Sequence, residues 1–259
     1  MPAARDAAGQ LYWYAVTHIT GPISARTSLN ELLHSWKLPV PGLTPAGANH
    51  AVEASVVAAA GDSILARKSV HIVITGHKAG STAVSEQIVA DIGTAAGAES
   101  IKSGAATATI RVTPAGAYFT GSPAGLKTFI GLPAAAARRA QSRWVAIKPG
   151  TNEYQDLAAE DTIAALPTSI LPATGNTARL RTATMSGQKV YVLDWTTTAS
   201  GSAAKISERL ILAATTQALP ISETTTANGD SQTVLPGLWG ERFTVPAPAS
   251  AVPYSRLTN

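Results

Sequence analysis

Over most of this chain apolar and polar positions alternate, and in two stretches the period changes to that of a helix. In Ser69–Thr75, Val70, Ile72 and Ile74 fall on one face, as expected of a strand with one buried side. Val84, Ile88, Ala90 and Ile92 share a face over Val84–Ile92, and Glu86 breaks that pattern. In Ala106–Val112, Ala106, Ala108, Ile110 and Val112 face one way, and Thr107, Thr109 and Arg111 the other. Gly76–Gly80, Gly93–Gly97 and Pro114–Gly116 read as turns, and Ala117–Thr120 as a short strand. The segment is therefore expected to be a four-strand meander on a half-buried surface.

Helical spacing appears ahead of the meander and again after it. Thr44-Pro45 reads as an N-cap followed by Pro at the first helical position. Val52, Val56, Ala59/Ala60 and Ile64 then make one apolar stripe, and the helix ends near Arg67-Lys68, where basic groups suit the negative end of the dipole. Ser122-Pro123 repeats the capping signal, with Leu126, Phe129 and Ile130 as its stripe and Gly131 as its stop. Pro133–Arg143 reads as an Ala-rich helix and Arg143–Ile147 as a strand. Thr151–Ala159 and Asp161–Ile170 read as two short helices with Tyr154, Leu157, Ile163, Leu166 and Ile170 inward.

Alternation then resumes. Ala178–Met185 and Lys189–Trp195 flank a Ser186-Gly187 turn; Ile206–Ala213 follows, with Leu210 and Leu212 on one face. Leu219–Thr225 and Gln232–Leu235 flank Asn228-Gly229, a strong signal for a type I′ hairpin turn. Glu241–Val245 reads as the last strand before a Pro-rich exit. The tally is about eleven strands and three to five helices without a fixed repeat. The fold class is α+β, built on one large curved antiparallel sheet.

Composition narrows what such a sheet does. Of 259 residues, 45% are apolar but only 14% are charged, below the usual quarter. Thr, Ser, Gln and Asn must supply the polar surface, a balance that suits an exported or envelope protein. Twenty basic and 16 acidic residues are spread along the chain for a net charge of +4, so no stripe for nucleic acid is present. With no cysteine, disulfides, thiol catalysis and Cys-based zinc sites are excluded. No apolar run approaches the roughly 18 residues of a membrane span. Residues 1–43, with Tyr12, Trp13, Tyr14, Trp36, His18 and His34, differ from the rest and end at the breaker Leu38–Gly42. They read as an atypical extension, with a poorly ordered leader or a misassigned start as the alternative. Residues 44–259 read as a single domain.

Candidate chemistry is sparse. Ser202-Ala203-Ala204-Lys205 matches a Ser-x-x-Lys nucleophile motif but lies in a hairpin loop, where it reads as a polar turn. Asp156, Glu160 and Asp161 cluster; paired carboxylates can hydrolyse glycosides, yet Glu160 and Asp161 read more simply as an acidic first helical turn. His18, His34, His50, His71 and His77 show no metal spacing. Arg138, Arg139, Arg143 and Lys148 read as a solvated helix face, with contact to an anionic membrane surface as the alternative. Trp144, Tyr154, Tyr191, Trp195 and Trp239 read as core packing, with Trp239 on the closing edge of the sheet. No catalytic residue, metal site or cofactor is assigned.

The order of short motifs carries a resemblance. After the Ala-rich helix and the meander come Gly116–Tyr118, a helical stretch, Arg143–Val145, a Tyr and Leu helix and Val190–Leu193. Ala218–Ile221 and Leu238–Pro248 (LWGERFTVPAP) close the series. Over roughly residues 44–254 this resembles the LolA-like carrier superfamily, in particular actinobacterial envelope lipoproteins of the LppX/LprG type. The resemblance implies a half-barrel with helices packed on its concave face and an apolar cavity between them for the acyl chains of a lipid or glycolipid. It implies transport through the cell envelope without chemistry on the cargo, by a monomer. Leu126, Phe129, Ile130, Ile163, Leu166 and Ile170 are the residues expected to line the cavity. Members carry a signal peptide and a lipid-modified Cys ahead of the first helix; this chain shows neither, and residues 1–43 stand in their place. The rival reading is an envelope scaffold or protein-interaction module of the same shape with a filled core.

Overall fold

The computed structural model describes residues 47–173, 178–198 and 205–258. Among these, one sheet of twelve strands runs in the order β12-β6-β5-β4-β3-β2-β1-β11-β10-β9-β8-β7. The sheet is curved and unclosed, with β12 and β7 as its edges, and six helices accompany it.

The first helix, α1 (Gly47–Arg67), buries Val56, Ala60 and Ile64 along the stripe read from the sequence. It stops at Lys68, whose φ of 63° turns the chain out of the helix. Five strands follow in an antiparallel meander: β1 (Ser69–His77), β2 (Val84–Gly93), β3 (Gly97–Ser103), β4 (Ala106–Thr113) and β5 (Gly116–Gly121). The four-strand expectation omitted β3, and the reason is its composition. In GAESIKS only Ile101 is a large apolar residue, so period two has nothing to register on.

The helical middle holds α2 (Pro123–Thr128), α3 (Ala134–Ala140), the strand β6 (Val145–Ile147), α4 (Asn152–Glu160) and α5 (Leu166–Ile170). Ser122 caps α2 as expected, its Oγ accepting from the Gly125 amide. Phe129 and Ile130 lie past the end of that helix, in the turn that follows. The α3 helix ends three residues before Arg143. Asp161 does not open a helix: it caps the C-terminus of α4, so its charge does not sit at a positive helix end.

β7 (Arg179–Met185) and β8 (Gln188–Thr198) form a hairpin through Ser186 and Gly187, both at positive φ. β9 (Lys205–Ala213) follows, and β10 (Pro220–Ala227) and β11 (Asp230–Gly237) join through Asn228 and Gly229, at φ 53° and 85°, as a type I′ turn requires. β11 then pairs with β1, so the two halves of the chain meet at the middle of the sheet.

Glu241–Val245 is not a strand. After β11 the chain crosses the sheet as a strap. The Gly240 amide donates to the Ser69 carbonyl, Phe243 lies against Gly93, and Arg111 donates to the Pro246 carbonyl at 3.0 Å. Arg111 projects from the face opposite Ile110 and Val112, and its guanidinium stacks over Trp144 at 4.7 Å. The strap ends in β12 (Val252–Pro253), parallel to β6, and α6 (Ser255–Thr258). Trp239 therefore packs beside β1 at mid-sheet rather than on a closing edge.

Candidate ligand site on the inner face

The register from β8 to β4 sets the inner-face side chains in rows. One row carries Leu193, Leu210, Val234, Ile74, Ile88 and Ile101, with Glu223 between Leu210 and Val234. Two residues further along each strand the next row reads Trp195, Glu208, Thr225, Gln232, Gly76, Glu86 and Ser103. The inner face is thus apolar along most of its length and polar in one belt near the β10–β11 turn.

Helices cover this face in two groups. Leu126, Phe129 and Ile130 belong to one apolar cluster with Ile88, Ile101, Ile110 and Phe119. Ile163, Leu166 and Ile170 belong to another with Ile64, Ile72, Leu193 and Leu210. All six residues expected to line a cavity are buried, but the structure divides them three and three. Ile74, on the seventh strand of twelve, touches both clusters and is itself only partly buried.

Most of the belt is buried as deeply as the apolar clusters. Glu86 and Glu208 are 2% exposed and Glu223 1%, alongside buried Thr225, Gln232 and Trp195. Glu208 Oε1 accepts from Thr197 Oγ1 at 2.7 Å. The indole Nε1 of Trp195, directly across from Glu208, has no hydrogen-bond acceptor. Ionised carboxylates are costly to bury unless matched by positive charge and hydrogen bonds. The signal for this belt was present in the sequence. Glu86 breaks the run of Ile88, Ala90 and Ile92, and Glu208 has the same parity as Leu210 and Leu212. Glu223 and Gln232 become inner-face residues only once β10 and β11 are registered against β9 and β1.

Several solved structures are similar to the chain, among them the following. It matches lipoprotein LppX of Mycobacterium tuberculosis over 77% of this chain and 100% of the other, at 14% identity and a TM-score of 0.45. It matches LprF of Mycobacterium bovis over 77% and 98%, at 15% identity and a TM-score of 0.47. A LolA superfamily protein of Nitrosomonas europaea is matched over 74% and 94%, at 9% identity and a TM-score of 0.27. The likeness is one of fold. No protein-family model and no curated protein matches the chain.

The other candidate groups fall elsewhere. His71 pairs with Asp91 at 2.8 Å on the outer face of β1 and β2, and His77 Nδ1 lies 3.2 Å from the Ala83 carbonyl. His18 and His34 lie outside the described residues, as do Ser202, Ala203 and Ala204 of the Ser-x-x-Lys motif; nothing is described of the His50 side chain. No group of three or more His, Cys, Asp or Glu among the described residues is placed to hold a metal. Arg138, Arg143 and Lys148 are exposed, while Arg139 is tied to the Leu257 carbonyl. Asp156 and Asp161 do not share a site: Asp156 borders a half-open cleft with Glu153, Leu157, Phe119 and Tyr254, and Asp161 is buried against Gly97. That cleft has room for little more than about one water. Its Tyr254 phenol is pushed above the ordinary tyrosine value by burial and, secondarily, by the negative charge of Glu153.

Proposed function

We propose that this protein is a carrier that binds the acyl chains of a lipid or glycolipid between the curved sheet and its helices, in the bacterial cell envelope. The observation that carries the reading is the seam at Ile74. At the centre of the twelve-stranded sheet Ile74 packs against both apolar clusters of the inner face, and that residue stays partly exposed. An acyl chain entering the seam would lie on Val234, Ile74 and Ile88, between Phe129 and Ile130 on one side and Leu166 and Ile170 on the other. Each methylene buried there is worth about 0.8 kcal/mol, enough for tight binding without a polar anchor.

Room for the chain comes from moving the helices apart. From α2 to α5 they are six, seven, nine and five residues long, broken by Gly131, Pro133 and Gly150. Short helices held mainly by packing are the elements that open at least cost. The order of motifs from Gly116 to Pro248 agrees with this reading and with an envelope location. In it the protein acts as a monomer and not as an enzyme, residues 44–259 act as one domain, and the exposed basic residues around α3 meet the membrane surface.

A second reading has its own observation. All six residues expected to line a cavity are at most 5% exposed, which suits a filled core and a scaffold that binds a protein partner. Native mass spectrometry of the protein after bacterial expression, followed by titration with a fluorescent fatty acid, separates the two. A carrier retains a lipid or takes up the probe at one to two molecules per chain. Protein recovered without ligand that takes up no probe sinks the carrier reading and leaves the scaffold.

A further inference from the structure

Trp195 stands where the apolar rows of the inner face meet the polar belt. We infer that its indole anchors the end of the cargo's chain: Nε1–H donates to the carbonyl oxygen of an acyl ester or amide, so the site selects acyl lipids over alkyl ones. The inference rests on the carrier reading above and names the chemical group by which the same inner face orients its ligand.

Two independent observations support it. The first is the unmatched donor. Trp195 is 4% exposed, and its Nε1–H finds no acceptor among the described residues. Register sets Glu208 directly opposite, yet that carboxylate does not accept from the indole; its Oε1 accepts instead from Thr197 Oγ1 at 2.7 Å. Buried indole N–H groups nearly always find an acceptor. One left bare loses its hydration and gains nothing in return. An indole nitrogen donates and cannot accept, so the missing partner is an acceptor and not a second donor.

The second observation is position. Trp195 shares one apolar cluster with Leu166 and Ile170, the residues on one side of the seam, and Ile74 packs against that cluster. Two residues back along β8, about 7 Å away, Leu193 opens the row that runs through Leu210, Glu223 and Val234 to Ile74. In the row of Trp195 itself, Thr225 and Gln232 are buried polar residues. A chain lying in the seam thus has its tail among aliphatic side chains and its end where polar groups begin. In an acyl lipid the polar atom nearest the tail is the carbonyl oxygen. It is neutral and can follow the chain into a buried site, where a charged head would have to shed its water at far greater cost.

Two probes that differ in a single group test this: monododecanoylglycerol, an ester, and dodecylglycerol, the ether with a methylene in place of the carbonyl. Each is titrated below its micelle concentration by isothermal calorimetry. The ester is expected to bind more tightly than the ether by about five-fold or more, as one hydrogen bond to a buried donor allows. Trp195→Phe keeps an apolar ring and removes the donor. It is expected to bring the two probes to within about two-fold of each other, with the ether bound as by the parent chain. Trp144→Phe, beneath the Arg111 guanidinium on the opposite face of the sheet, is expected to leave the ratio unchanged. In proton NMR spectra the indole N–H signal that is missing from Trp195→Phe is expected to move downfield with the ester and to stay in place with the ether. Equal binding of ester and ether by the parent chain overturns the inference and leaves the carrier standing; that comparison needs no variant, so it can refute even if Trp195→Phe does not fold. A preference for the ester that persists in Trp195→Phe, or a Trp195 signal that the ester does not move, overturns it as well. Binding of neither probe removes the carrier reading and this inference with it.

Discussion

At the scale of single residues, the decisive positions are those with no freedom to change. Gly125 is the clearest. A Cβ built there would stand 2.0 Å from the Thr107 carbonyl oxygen, in the backbone of β4. The contact is this close because Ser122 binds the same residue twice: its amide donates to the Thr107 carbonyl, and its Oγ accepts from the Thr107 amide at 3.0 Å. The helix start is thereby laid directly on the strand. Gly125→Ala is expected to destabilise the protein by about 1–3 kcal/mol or more, because the clash is with backbone and not with a flexible side-chain end. Ser122→Ala is expected to cost about 1 kcal/mol through the lost cap. Urea denaturation followed by circular dichroism measures both, and a stability of Gly125→Ala equal to that of the parent chain would show that α2 can lift from β4 without cost.

At the scale of elements, the strap after β11 does work that no strand of the meander can do. Its anchors on β1, β2, β4 and β6 all lie toward one end of the sheet, and it delivers β12 to the edge strand β6. Arg111 is the middle anchor, holding the Pro246 carbonyl while it stacks on Trp144. Arg111→Ala is expected to speed amide exchange at Val252 and Tyr254, whose N–H groups are bonded to Trp144 and Ala146, by at least ten-fold. Exchange in β1 and β2 is expected to stay as in the parent chain. Equal slowing or speeding across the sheet would mean that the strap is not a separate element. The opposite edge is managed differently: Arg179 and Arg181 project as exposed charges from β7, which discourages pairing with another chain.

At the scale of the whole molecule, stability depends on one long-range pairing. β1 pairs with β2 across a short turn but also with β11, where His71 meets Gly237. Sequence separations of this size make closure slow and place the halves of the sheet under a common fate. The full chain is expected to unfold in a single transition, coincident by tryptophan fluorescence and circular dichroism. A chain ended after Ala227 lacks β11 and leaves β1 unpaired on one side at mid-sheet. It is expected to lose that coincidence, with β2–β6 and β7–β10 unfolding separately or not folding. Retention of one sharp transition in the shortened chain would show that the helices alone can join the halves.

What the sequence by itself determined is whatever depends on near neighbours. The period-two faces of β1, β2 and β4, the Ser122 cap, the stripe on α1 and the Asn228-Gly229 turn were all legible, because each is decided within a few residues. β3 and β12 were not legible, since Ile101 alone, or two residues against β6, carry no period. Glu241–Val245 alternates like a strand but finds no ladder to join, for the strap is held by scattered contacts instead. The six residues expected at a site are buried, though Phe129, Ile130 and Ile163 lie in turns beside the helices; their division between two clusters depends on which strands each segment covers. The acidic belt is the sharpest case. Glu86 was visible as a break in a pattern, but that it shares a row with Glu208 is decided only by the β1–β11 register, which joins residues far apart in the chain. Hydrogen-bond register across distant strands is a property of the closed sheet, and no local preference encodes it.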